Sequence, residues 1–132
     1  MASAEQVRAE VEGYLAKWVP LLGLTNWQIV LTVEKMDWGQ AAQTSWEGNY
    51  RKALLTVNLT PKDSWEPERQ LHGELLEKTI LHELSHLLLA TLSDCVIAEF
   101  QKESVFRRQF EGREETVVDE LVSIFWRLHG AG

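Results

Sequence analysis

Apolar positions in the first half of the chain follow two periods, which predict one helix followed by a small sheet. In residues 3–18 they recur every three or four positions between charged residues, as in an amphipathic helix, and Pro20 and Gly23 indicate its end. Alternate residues from Ile29 to Val33 then fall on one face of a strand. Three strand-like runs are predicted, at residues 27–34, 40–47 and 52–59. Because short connections join the runs, we expect an antiparallel meander.

The second half of the chain predicts two long helices separated by a segment of mixed character. Residues 65–92 have the helical period, and capping residues precede them at 63–64. Apolar side chains lie on both sides of this helix, which is typical of a buried element. A last helix is predicted over residues 113–129, with Gly112 as an interruption before it and helical or irregular packed material over 94–112. The predicted fold class is α+β.

Length, composition and charge narrow the class of protein. A chain of 132 residues with 45% hydrophobic content predicts a single domain over residues 1–132. No apolar run is long enough to cross a bilayer, no signal-like N-terminus is visible, and the single Cys95 cannot form an intramolecular disulfide. We therefore expect a cytoplasmic protein without a membrane partner. The net charge of −7 argues against nucleic acid as a partner.

The candidate chemistry lies in the central helix, at His82-Glu83-Leu84-Ser85-His86. In a helix, His82 and His86 stand about 40° apart and one turn from each other, so both imidazoles can reach one metal ion. Glu83 lies beside them, about 60° from His86, where a carboxylate can deprotonate a metal-bound water without occupying a coordination position. The alternative interpretation is a pair of hydrogen-bonded core histidines beside a half-exposed glutamate.

A catalytic zinc site needs a third protein ligand and one position for water. The last helix offers candidates, because three glutamates fall within or beside its apolar arc: Glu111, Glu114 and Glu115. Carboxylates on a buried face need a cation, which a site around the two histidines could supply. Glu115 and Asp119 form the only Glu-x-x-x-Asp pattern in the chain. The helical wheel slightly favours Glu114 instead, so both glutamates stay candidates for the third ligand.

The His-Glu-x-x-His helix resembles the active-site helix of the zincin metallopeptidases. The pattern of Glu115 and Asp119 resembles the glutamate helix of the gluzincin branch. Metzincins continue the motif with a glycine and a third histidine, whereas this chain continues with leucines. The order of elements is similar to the minimal zincins, namely the minigluzincins and the small metallopeptidase-like proteins of phage and prophage genomes. The resemblance covers residues 24–128 and departs from the family in the long insert before Glu115.

The resemblance implies a zincin-like fold, with an N-terminal helix, a small three-stranded antiparallel sheet, a buried motif helix and a C-terminal glutamate helix. It implies Zn²⁺ bound by His82, His86 and Glu115. Asp119 would accept a hydrogen bond from His82. Glu83 would act as general base while a metal-activated water attacks a peptide bond of a peptide or protein substrate. The alternative is a zincin-fold regulatory or structural protein that binds zinc with little or no proteolytic activity.

Overall fold

The computed structural model describes residues 3–36, 40–47, 51–59, 72–90 and 104–130, with side chains from residue 112 onward in the last range. Within these ranges the chain forms three helices and one mixed sheet of three strands, so the predicted α+β class is confirmed. The elements in chain order are α1 (Ala4–Leu21), β1 (Gln28–Glu34), β2 (Ala42–Glu47), β3 (Lys52–Asn58), α2 (Gly73–Leu88) and α3 (Ser104–Phe125), which continues into a π-helical turn at Trp126–Gly130. None of these described helices is both long and apolar enough to cross a membrane.

Residues next to helix α1 in the sequence cap both of its ends. The Ser3 side chain accepts the backbone N–H of Gln6, and the Gln6 side chain accepts the N–H of Ser3, which together form a capping box. At the other end Gly23 has a φ of 70°, and its N–H donates to the carbonyl of Pro20. The predicted helix is confirmed, but Pro20 lies inside its last turn, so the glycine ends it.

The sheet has the strand order β1-β3-β2, and it is mixed. β2 and β3 form the expected antiparallel pair, in which Thr44 lies opposite Leu55. β1 pairs in parallel with the other edge of β3, so that Leu31 also lies opposite Leu55. The predicted antiparallel meander is therefore wrong. Short connections favour sequence neighbours as partners, but they do not prevent β1 from pairing with β3 instead of with β2.

Alternate residues of each strand form the face of the sheet that packs on the core. They are Ile29, Leu31 and Val33 from β1, Ala42 and Trp46 from β2, and Ala53, Leu55 and Val57 from β3. On the opposite face Val30 and Leu54 lie beside each other and are 52% and 43% exposed. Within the described residues β2 pairs with β3 alone, which makes β2 an edge strand in that part of the chain.

Helix α2 begins at Gly73, later than predicted. His72 is extended, with φ −152° and ψ 165°, and Gly73 has a φ of 60°, so a helix cannot run through this point. The predicted capping residues at 63–64 lie outside the described residues. The helix ends at Leu88, before the predicted residue 92.

The first turn of α2 is capped by a carboxylate from α1. His72 makes no side-chain cap, and Oε2 of Glu10 accepts the N–H of Gly73 at 2.7 Å. The hydroxyl of Tyr14 donates to the same carboxylate. Burial, together with this hydrogen bond to Glu10, raises the pKa of Tyr14, so the phenol keeps its proton and stays a donor. The start of α2 therefore depends on a tertiary contact that no local pattern shows.

One arc of α2 forms the centre of the hydrophobic core. The buried residues of this arc are Leu76, Ile80, Leu81, Leu84 and Leu87. They pack with Val11 and Trp18 of α1 and with the sheet. The opposite side of the helix is not fully buried, contrary to the prediction, since Leu75 is 53% exposed. This side faces α3 and a cavity, and it is the side that carries the two histidines.

Helix α3 passes through Gly112, which was expected to interrupt it. A glycine destabilises a helix by about 1 kcal/mol relative to alanine, but without further stop signals it does not end one. The prediction of an interruption is therefore wrong, and the last helix begins at Ser104 instead of residue 113. Among the α3 residues whose side chains are described, Val118 is the one that is fully buried.

A nearly buried carboxylate joins α1 to α2. The side chain of Glu77 is 11% exposed, and its Oε2 accepts hydrogen bonds from Nζ of Lys17 at 2.8 Å and from Nε1 of Trp18 at 2.7 Å. Nζ of Lys17 also lies 5.9 Å from the centroid of the Trp126 ring and 3.4 Å from the carbonyl oxygen of Gly130. The contacts with Glu77 limit the rotation of α2 relative to α1, and those with Trp126 and Gly130 attach the turn after α3 to α1.

Replacing Lys17 with methionine should lower the free energy of unfolding by about 1–3 kcal/mol, because Glu77 would stay buried and lose its charged donor. Lys78→Met is the matched control. Lys78 contacts Glu74 at the same distance, 2.8 Å, but the Glu74 side chain is 62% exposed. Nζ of Lys78 also lies 5.0 Å from the centroid of the Trp126 ring, so the loss of Lys78 should lower stability by at most about 1 kcal/mol, less than the loss of Lys17. Urea denaturation of both variants and the wild type measures this, and equal effects would contradict the role assigned to burial.

Candidate metal centre

The two histidines of the motif lie on the side of α2 that faces α3. Their rings are one helical turn apart, with centroids 5.0 Å from each other and planes at 69°. Burial of Leu81 and Leu84 on the other arc fixes this orientation, because residues of one helix hold fixed angular positions. The side chains of His82 and His86 are 29% and 15% exposed, so both rings border solvent.

Glu115 of α3 bridges the two imidazoles. Its Oε2 lies 3.3 Å from Nε2 of His82, and its Oε1 lies 3.0 Å from Nε2 of His86. One ligand atom from each of the three residues can be chosen so that all lie within 4.8 Å of one another, close enough for a single metal ion to contact them. The structure thus brings together the three residues that the sequence predicts as ligands.

A separate carboxylate faces the other ring nitrogen of each histidine. Nδ1 of His82 lies 3.3 Å from Oδ1 of Asp119, which is the pairing predicted for that aspartate. Nδ1 of His86 lies 3.1 Å from Oε1 of Glu114. Both contacts leave the Nε2 atoms directed at Glu115. Carboxylates in this position keep a proton on Nδ1 and leave Nε2 free to bind a metal.

Glu114 and Glu115 occupy different positions, although both are candidates for the third ligand. The Glu114 side chain is 10% exposed and that of Glu115 is 56% exposed, in keeping with the helical wheel. The Glu114 carboxylate nevertheless lies on the Nδ1 side of His86 and outside the group of three ligand atoms. Adjacent helical residues project about 100° apart, so the packing of α3 against α2 decides which glutamate meets both rings. The side chain of Glu111, the other candidate, lies outside the described residues.

The carboxylate of Glu83 lies beside the histidines, where α2 approaches β2. Its Oε2 accepts a hydrogen bond from the Thr44 hydroxyl at 2.6 Å. Burial raises the pKa of Glu83, the Thr44 hydrogen bond and the two neighbouring histidines oppose that rise, and Glu115 adds to it. Sequence reasoning missed Thr44, because a single threonine in a weak strand pattern carries no motif.

The site opens into a cavity of about 920 Å³ bounded by β2, α2 and α3. This volume is in the range of pockets that hold small ligands. One wall is formed by residues 40–44 and Trp46, at and before β2. The other walls carry the metal-ligand group and Glu83, together with Leu75, Lys78, Thr79, Glu114 and Val122.

The donor set is of the kind that zinc prefers. Two imidazole nitrogens and one carboxylate oxygen are typical protein ligands of a zinc ion that keeps one position for water. Calcium, in contrast, takes six to eight oxygen ligands. The acidic side chains around the two rings are Glu83, Glu114, Glu115 and Asp119. A divalent cation would offset the repulsion between these carboxylates.

Comparisons with protein-family models, curated proteins and solved structures found no match to this chain. Its function is therefore inferred from the geometry of the site. The relevant side chains come from three elements, β2, α2 and α3, which border one cavity.

Proposed function

We propose that this protein is a zinc-dependent peptidase of zincin-like architecture that acts in the cytoplasm. The observation that carries the proposal is the convergence of His82, His86 and Glu115 at one point beside an open cavity, with Glu83 next to them. Two nitrogen ligands, one oxygen ligand and a separate carboxylate are the groups that hydrolysis by an activated water needs. In this proposal each residue has one role, either to bind the metal ion, to orient a ligand or to transfer a proton.

His82 and His86 would hold the ion through Nε2, and Glu115 would hold it through its carboxylate. Bound zinc lowers the pKa of a water molecule to about 7 and polarises a substrate carbonyl. Asp119 and Glu114 would orient the two rings by accepting hydrogen bonds from their Nδ1–H groups, which raises the basicity of the nitrogens that bind.

Glu83 would move the proton during hydrolysis. Thr44 holds one of its oxygens, Oε2, so Oε1 can accept the proton of the attacking water. The same carboxylate can then deliver that proton to the leaving amine of the cleaved peptide bond. Glu83 is outside the group of three ligand atoms, which leaves it available for this transfer.

The edge of β2 suits an extended peptide. Consecutive residues 40–44 line the cavity, so the edge of the strand borders it as well as one of its faces. A peptide that added to this edge by backbone hydrogen bonds would run past the metal-ligand group and Glu83. Recognition of this kind requires an extended peptide backbone and depends little on which side chains the peptide carries.

Zinc binding should distinguish Glu115 from Glu114. The wild type should bind about one zinc ion per chain, and His86→Ala should not retain it. Glu114→Gln, which alters a carboxylate behind a ligand, should weaken zinc binding by about 10- to 100-fold. Glu115→Gln should weaken it by more than that. Competition with a chromophoric chelator measures the affinities, and the reverse order would make Glu114 the third ligand.

Glu83→Gln should abolish hydrolysis without loss of zinc, because it removes a proton acceptor and leaves the ligands intact. The expected fall in kcat is at least about 100-fold, measured by mass spectrometry of a peptide library incubated with the zinc-loaded protein. Glu74→Gln, an exposed change on the same helix, is the control. A wild type that binds zinc and cleaves no peptide would favour the alternative, a regulatory or structural zinc protein.

A further inference from the structure

A hydroxyl group on β2 is hydrogen-bonded to the residue that the proposed function uses as its base. Oγ1 of Thr44 donates to Oε2 of Glu83 at 2.6 Å, and both residues line the same cavity. They belong to different elements and lie 39 positions apart in the sequence. Glu83 is partly buried, and a carboxylate removed from water needs a donor. Thr44 supplies one.

The position of Thr44 is fixed by its strand. Side chains alternate along β2, so Thr44 shares a face with Ala42, which is buried, and with Trp46, which packs against the core. Its backbone lies opposite Leu55 of the central strand. A β-branched side chain on a paired strand has few accessible rotamers. The Thr44 hydroxyl is therefore a fixed donor.

We propose that Thr44 is a positioning residue that holds the Glu83 carboxylate by one oxygen and directs the other toward the reacting peptide bond. This inference rests on the proposed peptidase function and extends it. Thr44 acts through Glu83 and is neither a ligand nor a base. Because Thr44 belongs to the strand whose edge would bind the peptide, one element sets both the register of the substrate and the orientation of the base.

A packing role for Thr44 makes different predictions from a positioning role. Thr44→Val keeps the shape of the side chain and removes the donor, whereas Thr44→Ser keeps the donor and removes a methyl group. Thr79 offers a matched control, because it also lines the cavity but its hydroxyl donates to the carbonyl of Leu75 at 2.9 Å. Thr79→Val is therefore the same chemical change at a hydroxyl that is not bonded to Glu83.

The first test uses the zinc-loaded protein and a peptide that the wild type cleaves. Thr44→Val should lower kcat by about 10- to 100-fold, with KM and zinc affinity unchanged, because a hydrogen bond to a charged group is lost. Thr44→Ser should recover most of the rate, and Thr79→Val should lower kcat by much less than Thr44→Val. Full kcat in Thr44→Val, an equal loss in Thr79→Val, or no recovery with serine would overturn the proposal.

A second measurement does not depend on hydrolysis. In protein labelled with ¹³C at the glutamate carboxyl carbons, the Glu83 resonance is assigned by its absence in Glu83→Gln. It should shift in Thr44→Val and stay in place in Thr79→Val. If the wild type cleaves no peptide but this shift occurs, the peptidase proposal fails, and the hydrogen bond by which Thr44 positions Glu83 is supported. An unshifted resonance in Thr44→Val would overturn the inference whatever the activity.

Discussion

The packing of α3 against the histidine face of α2 is the contact on which the site depends. Helix α2 buries its leucine-rich arc against α1 and the sheet, which turns both imidazoles toward α3. Helix α3 meets them with three carboxylates, one bridging the two Nε2 atoms and one on each Nδ1. Each of the four ring nitrogens thus faces a carboxylate oxygen, and Glu115 supplies the oxygens for both Nε2 atoms. So many acidic groups around two rings make a site whose charge favours a divalent cation.

Contacts with α1 keep α2 in the position that this packing needs. The Glu10 carboxylate caps the first turn of α2, which limits sliding along the helix axis. The bonds from Lys17 and Trp18 to Glu77 limit rotation about that axis. A rotation by one residue is about 100°, enough to turn both histidines away from α3. Residues far from the candidate metal centre therefore determine its geometry.

The mixed order of the sheet has a consequence for the cavity. In a meander β2 would be the central strand, with a partner on each side. In the observed order of the described strands β3 takes that place, and β2 lies at their edge and borders the cavity. The same strand carries the hydroxyl that contacts Glu83. The feature of the sheet that was wrongly predicted is therefore the one that leaves β2 with an unpaired edge among the described strands, which the proposed peptidase would use to bind its substrate.

Elements whose signals are local were predictable: the amphipathic spacing of α1, the strand-like runs, and the helical spacing that brings two imidazoles together. Each of these depends on residues within a few positions of one another. Three features depend on packing between distant segments: the pairing of β1 with β3, the start of α2, and the choice between Glu114 and Glu115. Thr44 shows the difference most clearly, since a strand is predicted at its position, but only the packing of β2 beside α2 gives its hydroxyl Glu83 as a partner.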